Sequence, residues 1–449
     1  GAGRGGKGGV AGGVWLTGTL LLLLPGRFAE GTGWEWDLAA GSESNCVRFP
    51  GSASHGNRCN VKCWGRRFAY ADPHRTFNNA YNGHRDEQWT GRGNWGQAQD
   101  AIGDAASEMG SNLPLIPGAC GAGSGGGTPT YGEMHIGEEH GCLALETQAY
   151  TAWNSTTGEW TMTPWTALYC FGDMRNYKGE DPYGDDDHHV AELRNSVSTS
   201  YPSFSVYSTV TCAVKEDGGV RCWGYRESCC DGNMYGPGSG YKNQDVDFTG
   251  TSGRNVTSVH VGVQNTAAIF DDGSMKVIGK NWPGGYGDNL DFITFGETTA
   301  LSAASHYYAV YAKLANGTMW CRGGGYPAYS CGGSPTIIDW GTGIVTEDIQ
   351  CGGHQCCALL STQGVKCWGK NSDTYLGKED GILGYGDTND RAASADLPYV
   401  DLGDWTNEVQ KLAVGQAHTC ILTTANTIKC WGCAHTIPAS RPRPSRSSP

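Results

Sequence analysis

A pair of cysteines ten residues apart, followed by Trp-Gly, occurs three times in this chain of 449 residues. The pairs are Cys212/Cys222, Cys357/Cys367 and Cys420/Cys430, and in each the two cysteines are equally far from a turn centre. Equal distances place them opposite each other on antiparallel strands, where Cα atoms lie about 4.5–5.5 Å apart, within the reach of a disulfide. The pattern therefore predicts β-hairpins that are each closed by a disulfide.

Zinc binding and thiol redox chemistry are the alternatives to a disulfide. A structural zinc site needs four ligands, usually from two C-x2–4-C knuckles. The C-x2-C spacing occurs at Cys430 and Cys433, but Cys430 already has a hairpin partner in Cys420. A redox role for this motif would need a βαβ context, which a turn-rich β chain does not offer. Disulfides are favoured, and no metal or cofactor is expected.

Four looser copies extend the pattern to seven. Two of them predict the pairs Cys46–Cys63 and Cys142–Cys170 around wider turns, and a fifth copy near Tyr308 predicts Cys321–Cys331. The fourth copy has Ala267 and Val277 at the two cysteine positions, and losing both together is what a bonded pair predicts. One hairpin buries too little apolar surface to be stable alone, so the copies must pack on one another. Seven sheet-forming units predict an all-β fold, a seven-bladed β-propeller with disulfide-stapled hairpins.

Composition agrees with this fold and limits the function. The 70 glycines suit tight turns better than helices. A net charge of −13 argues against non-specific nucleic-acid binding, which needs an excess of Lys and Arg. Nineteen cysteines are unusual in a reducing cytosol.

The N-terminus resembles a targeting segment. Residues 1–31 combine Arg4 and Lys7 with the apolar run Val14–Leu24, which is typical of a secretory signal peptide and short for a membrane span. We expect the propeller over residues 32–437, with a long insertion at about 66–134 and a Pro/Arg/Ser-rich tail at 438–449. The expected location is the secretory pathway, either secreted or at the cell surface, without a transmembrane span in the mature chain.

The motif H-x-C-A-L…G-x-V-x-C-W-G, best seen in Cys212–Gly224, Cys357–Gly369 and His418–Gly432, resembles the regulator-of-chromosome-condensation repeat family. The resemblance implies a propeller that serves as a recognition platform. Members include a nuclear exchange factor for the GTPase Ran and secreted bacterial forms that bind proteins. The G-Q-L-G stretch that follows W-G in the family survives only in fragments such as Tyr375–Gly377, so exchange activity is not carried over.

The insertions carry candidate binding residues. Exposed Trp side chains anchor partners because they bury a large area at little entropic cost, although core packing is the ordinary reading of any single Trp. The candidates are Trp89, Trp95, Trp153, Trp160 and Trp165, with Asp185–Asp187 at the rim. The acidic segment 180–189 fits no EF-hand spacing, so Ca²⁺ binding stays open. His140 occupies the His position of the repeat, where we expect it to hydrogen-bond within its hairpin.

Three N-x-S/T tripeptides, at Asn154, Asn255 and Asn316, are candidate glycosylation sites. The sequence thus predicts a non-enzymatic secreted or surface scaffold that binds a protein or a glycan and no nucleic acid. The alternative, by family analogy alone, is an exchange-factor-like regulator of a small GTPase. The signal-like leader, the cysteines and the acidity favour the scaffold.

Overall fold

The computed structural model describes the part of the chain in which the repeats lie. The described residues are 36–41, 44–50, 59–66, 101–102, 130–137, 140–154, 159–172, 191–192, 201–207, 210–224, 242–246, 248, 253–262, 265–279, 292–306, 309–323, 331, 334–371, 381–387, 389–403 and 408–432. The chain divides into two units, Gly1–Thr32 and Gly33–Pro449, and every described residue belongs to the second. The expected signal peptide and the 438–449 tail lie outside the described residues.

The regular elements of the described part are 25 β-strands in seven antiparallel sheets. The first three sheets have four strands each. Blade 1 holds β1 (Asp37–Ala40), β2 (Ser44–Pro50), β3 (Cys59–Arg66) and β4 (Ala101–Ile102). Blade 2 holds β5 (Thr130–Ile136), β6 (His140–Asn154), β7 (Glu159–Gly172) and β8 (Ala191–Glu192). Blade 3 holds β9 (Ser203–Tyr207), β10 (Val210–Val214), β11 (Val220–Gly224) and β12 (Lys242–Val246).

The other four sheets repeat the same order. Blade 4 holds β13 (Val256–Val261), β14 (Asn265–Phe270) and β15 (Met275–Gly279). Blade 5 holds β16 (Ala300–Ser305), β17 (Ala309–Leu314), β18 (Met319–Gly323) and β19 (Thr336–Ile338). Blade 6 holds β20 (Thr346–Cys351), β21 (Gln355–Leu360) and β22 (Val365–Gly369). Blade 7 holds β23 (Val409–Val414), β24 (His418–Thr423) and β25 (Ile428–Gly432).

The repeated cysteine pairs join the second and third strands of the blades. Cys212 faces Cys222 in the β10–β11 register, with Cα atoms 4.1 Å apart, and the same register holds for the other hairpin pairs. The bonded hairpin pairs are Cys46–Cys63, Cys142–Cys170, Cys212–Cys222, Cys357–Cys367 and Cys420–Cys430. The prediction of disulfide-stapled hairpins is confirmed.

The fifth repeat is aligned differently from the prediction. Tyr311, not Tyr308, occupies the first cysteine position, and it faces Cys321 on β18. Because Tyr311 cannot form a disulfide, Cys321 bonds to Cys331 instead, with Cα atoms 6.1 Å apart. The turn in this repeat is therefore as short as that of blade 3. An additional bond, Cys351–Cys356, joins β20 to β21.

Neighbouring blades bury their apolar faces against each other. The second strand of a blade lies between two partners, and β14, β21 and β24 are buried at every position. One core cluster, for example, combines Tyr311 of blade 5 with Trp368 of blade 6, whose rings pack edge to face at 5.2 Å. This packing explains why W-G closes the repeat: the Trp fills the gap to the preceding blade. Burial of this kind stabilises by roughly 25 cal/mol per Å² of apolar surface.

The ring closes by packing between blade 7 and blade 1. First strands of neighbouring blades contact one another around the whole ring, and β1 contacts β23 and β24. Leu38 of blade 1 shares a core cluster with Leu422 of blade 7. The sequence suggests a different closure, in which residues near Trp34–Leu38 pair beside the last strands. That expectation is wrong for β1, which pairs with β2 of its own blade.

The ring has two ends that differ in their connections. We call the end where first strands turn into second strands the insertion end, because β3, β7 and β11 finish there and the chain leaves for segments 67–100, 173–190 and 225–241. The opposite end, the hairpin end, holds the turns between second and third strands. Among the described residues no helix is long and apolar enough to cross a membrane.

Candidate functional site

Seven equivalent positions occur on the first, innermost strands. In each blade, one residue of the first strand faces the first cysteine position of the repeat, whether or not a cysteine stands there. The equivalent position lies two residues before that first-strand residue. A register shift directly before this position occurs in β13, β16, β20 and β23. The seven residues are Asp37, Glu133, Ser203, Ser258, Ser302, Asp348 and Lys411. Because first strands form the inside of the ring, the polar members of this set approach one another near its axis.

Six titratable residues form what we call the axial cluster: Asp37, Glu133, His135, His260, Asp348 and Lys411. Lys411 of blade 7 forms an ion pair with Asp37 of blade 1. Asp37 also accepts a 2.9 Å hydrogen bond from the backbone N–H of Met134 in blade 2. In blade 2 itself, Glu133 Oε2 lies 3.3 Å from His135 Nε2. The cluster thus ties three consecutive blades together by charge.

The pKa values of the cluster follow from these contacts. The hydrogen bond from His135 lowers the pKa of Glu133 to about 2, although burial opposes the shift. Burial alone would lower the pKa of Lys411, but the carboxylates of Asp37, Glu133 and Asp348 outweigh it and raise that pKa. Burial raises the pKa of the Asp348 carboxyl and lowers that of His260 to about 4. At neutral pH the cluster therefore holds an ionised Lys411 beside an ionised Glu133, with His260 neutral.

Glu133 lies on a first strand, on the inner side of the ring, and 58% of its side chain is accessible to water. That combination is typical of a group that lines a channel. Charges fixed in such a place can bind a polar or charged side chain that enters from outside, because few other groups compete for them. Within the described ranges, no three His, Cys, Asp or Glu side chains are arranged to hold a metal ion.

Glycine turns set the spacing of the blades at the insertion end. A Cβ atom added to Gly41 would lie 1.9 Å from the carbonyl oxygen of Gly137, and one added to Gly352 would lie 1.7 Å from that of Gly415. Gly415 approaches Gly41 in the same way, at 2.5 Å. Blades 6, 7, 1 and 2 therefore touch through their backbones at these turns, where only a residue without a side chain fits.

The His position of the repeat bonds one blade to the next. His140 Nε2 of blade 2 lies 2.8 Å from Thr211 Oγ1 of blade 3, and so joins two blades as well as sitting in its own hairpin. Gln355 Nε2 donates a 3.0 Å bond to Thr419 Oγ1 at the equivalent position of blades 6 and 7. Burial keeps the equivalent His418 neutral by lowering its pKa to about 4.

The hairpin end is acidic. Exposed carboxylates occur there in the turns and connections of blades 3 to 7, at Glu216, Asp217, Asp271, Asp272, Glu297, Asp339, Glu347, Asp401 and Glu408. Described cations at this end are already engaged: Lys215 pairs with Asp245 at 3.1 Å, and Arg254 pairs with Asp272 at 2.6 Å. Like charges exposed to water in this number keep a surface hydrated.

The structure does not bring the predicted tryptophans together. Trp153 pairs with Trp160 at the hairpin end of the long β6–β7 hairpin, and Trp165 pairs with Thr147 along it. Trp89 and Trp95 lie outside the described residues, in a segment that leaves β3 and rejoins β4 at the insertion end. One surface that contains all five does not follow from this topology, and their role in binding stays a prediction.

The other predicted sites are placed as follows. Asn255 and Asn316 are exposed at the hairpin end, and Asn154 ends β6 there. The acidic segment 180–189, including Asp185–Asp187, lies outside the described residues. Sequence reasoning missed the axial cluster, whose signal was a polar residue at one fixed position of every first strand. The Cys351–Cys356 bond was not predicted either, because the repeat pattern contains a single cysteine pair in each copy.

The fold and the stapled hairpins define a class, the disulfide-bonded seven-bladed β-propeller. Within it, residues 409–435, which contain blade 7, match the family model "Regulator of chromosome condensation (RCC1) repeat". The predicted resemblance to this repeat family is confirmed.

Solved structures show the same fold. The structure of human WBSCR16 is similar with a TM-score of 0.57 and 12% identity, over 89% of this chain and 90% of that one. Yeast RCC1 (Prp20), solved with Kap60 bound, is similar with a TM-score of 0.50 and 14% identity, over 75% of this chain and 76% of that one. No curated protein sequence matches the chain.

Proposed function

We propose that this chain is a non-enzymatic scaffold of the secretory pathway, secreted or held at the cell surface, that binds a protein partner. The observation that carries the proposal is the set of staples: every blade except blade 4 has at least one disulfide among the described residues. Such a density of bonds persists only in an oxidising compartment.

A rigid ring suits a binding platform. The staples, the glycine contacts and the bonds between blades hold the backbone in one arrangement. Binding a partner would therefore cost this chain little conformational entropy. Yeast RCC1 (Prp20), whose fold is similar, was solved with another protein, Kap60, bound to it. That example supports a protein rather than a glycan as the partner here.

The insertion end is the better candidate for docking. The chain leaves β3, β7 and β11 there for long connections, and the loops on one face are where repeat proteins tend to bind. The hairpin end is covered by hydrated carboxylates, and burying them without a partner of opposite charge would be costly.

The test is expression of the full chain, tagged at its C-terminus, in a eukaryotic secretory cell line. We expect the chain in the medium or on the surface, with the seven described disulfides found by non-reducing peptide mapping. Photo-cross-linking on intact cells, followed by mass spectrometry, should identify a protein partner. A nuclear chain with free thiols would contradict the proposal and favour the exchange-factor alternative. Binding to a glycan array with no cross-linked protein would contradict the partner class.

A further inference from the structure

The three acceptor tripeptides for N-glycosylation are brought to one end of the ring. The sequence holds them at Asn154, Asn255 and Asn316. Asn154 pairs with Glu159 at the far end of the β6–β7 hairpin. Asn255 precedes β13, and its carbonyl accepts a bond from Asp271 in the turn that follows β14. Asn316 lies in the turn between β17 and β18. All three positions belong to the hairpin end, although they come from blades 2, 4 and 5.

Asn316 has a local geometry that leaves its amide nitrogen available. The side chain is exposed, and its Oδ1 accepts bonds from the N–H of Thr318 at 3.1 Å and from Thr318 Oγ1 at 2.8 Å. Both bonds use the oxygen, so the turn does not depend on Nδ2. The tripeptide's own Thr318 therefore holds Asn316 in place while Nδ2 can carry a sugar.

Asn255 is exposed as well, together with Thr257 of its tripeptide. Its Nδ2 lies 3.3 Å from Asp271 Oδ2, near the long end of the hydrogen-bond range. Gly218 of the neighbouring turn gives this side chain room, because a Cβ atom there would lie 2.8 Å from the Cβ of Asn255. A substituent on Nδ2 would thus displace one weak hydrogen bond on an exposed side chain.

We propose that N-linked glycans on Asn154, Asn255 and Asn316 cover the hairpin end, so that the modified and acidic end faces solvent and the insertion end stays bare. This inference rests on the proposed function, because these glycans are added only in the secretory pathway. The acidic surface supports it independently, since a hydrated face needs no partner to cover it.

The chemistry is a group transfer that the cell's own transferase performs. A bond forms between Asn Nδ2 and the anomeric C1 of an oligosaccharide, and the bond from C1 to its lipid pyrophosphate carrier breaks. The carrier leaves as the lipid pyrophosphate, and one amide proton is released. The chain supplies only the acceptor amide and the hydroxyl of Ser or Thr two residues later.

The experiment uses the full chain, purified from the medium of a eukaryotic cell line. Peptide-N-glycosidase treatment in heavy-oxygen water labels each glycosylated Asn as Asp, and mass spectrometry then gives the occupancy of each site. We expect all three sites to be occupied. Asn255→Gln and Asn316→Gln should each remove one glycan and leave the others unchanged.

A matched variant adds an acceptor tripeptide at the insertion end. It tests whether that end lacks glycans because the sequence has no acceptor tripeptide there. Ala392 is exposed near the insertion end, beside the bridge between Arg391 and Gly369, and Ala392→Asn creates the tripeptide Asn-Ala-Ser with Ala393 and Ser394. This variant should carry a fourth glycan. A secreted, disulfide-bonded chain with Asn255 and Asn316 unoccupied would overturn this inference and leave the proposed function intact. A chain retained in the cytosol with free thiols would overturn both.

Discussion

Nε2 of His418 in the last blade lies 2.8 Å from Oδ1 of Asn45 in the first, across a separation of 373 residues in the sequence. This buried bond closes the ring, and it repeats between blades 6 and 7, where Gln355 bonds to Thr419. The same repeat position thus forms the hydrogen bond between blades with two different side chains, histidine and glutamine. The difference matters because histidine titrates and glutamine does not.

His418 should therefore make the fold sensitive to acid. Its pKa in the folded chain is about 4 because it is buried, against about 6.5 for an unfolded chain. Between these values the unfolded chain binds one more proton than the folded chain, so the free energy of unfolding falls as pH falls from about 6.5 to about 4. At pH 5 the loss relative to pH 7 should be about 2 kcal/mol from this residue.

His418→Gln should keep the bond and remove that part of the pH dependence, as Gln355 does in blade 6. Urea unfolding at pH 7 and pH 5 measures it. Buried His306, whose pKa is lowered to about 3, remains in the variant, so some dependence should persist. Equal pH dependence in the variant and the parent chain would show that His418 is not the responsible group.

The staples can be tested with the blade that lacks one. Ala267 and Val277 of blade 4 face each other at the register of the cysteine pairs and are fully buried. Replacing Cys212 by Ala and Cys222 by Val copies this pair into blade 3. The variant should lose about 2–3 kcal/mol of unfolding free energy, because the unfolded chain is no longer cross-linked. Urea unfolding of the two oxidised proteins measures the difference.

The reciprocal change is the control. Ala267→Cys together with Val277→Cys should form a new disulfide in blade 4 and raise the unfolding free energy by a similar amount. If neither exchange changes the midpoint of unfolding, the staples do not contribute through the unfolded chain.

The glycine contacts at the insertion end predict that substitutions at two adjacent glycines differ in their effect on stability. Gly352→Ala places a Cβ atom 1.7 Å from the backbone oxygen of Gly415, so two blades must separate. Such overpacking costs about 1–3 kcal/mol. Gly353→Ala is the matched control, because its Cβ atom would meet the flexible side chain of Gln416, at 2.6 Å. Thermal unfolding should show a lower Tm for the first variant only. Equal Tm values would mean that the turns can move apart freely.

The sequence predicted the number of blades and the stapled hairpins, because both depend on a local residue pattern, and three copies keep its spacing of ten residues. One tight pair of cysteines around a short turn is enough to define the register, as Cys212 and Cys222 show. It did not predict the axial cluster, since Asp37 and Lys411 meet only after the ring has closed. It also misplaced the register of the fifth copy, because Tyr311 stands at the first cysteine position, although the bond between Cys321 and Cys331 was predicted.

A glycan placed at the insertion end should block binding to the partner. Ala392→Asn introduces it there, whereas the natural acceptor sites lie at the other end. With the protein cross-linked to the parent chain as the probe, we expect the variant to lose most of its capture, while Asn316→Gln captures as before. Capture by both variants at the parent's level would place the docking surface elsewhere than beside Ala392.

The tryptophans divide in the same way. Trp89 and Trp95 belong to the segment between β3 and β4, outside the described residues, and Trp153 and Trp160 belong to the hairpin end beside the acceptor Asn154. Replacing Trp89 and Trp95 by Ala should weaken capture by about 2 kcal/mol or more, as loss of aromatic anchors does at interfaces. The pair Trp153→Ala and Trp160→Ala is the control and should leave capture unchanged. Near-identical circular dichroism and Tm for the two double variants would show that neither disturbs the ring. A loss of capture in the second variant alone would move the docking surface to the hairpin end, and the glycans there would then border the partner instead of marking the free side.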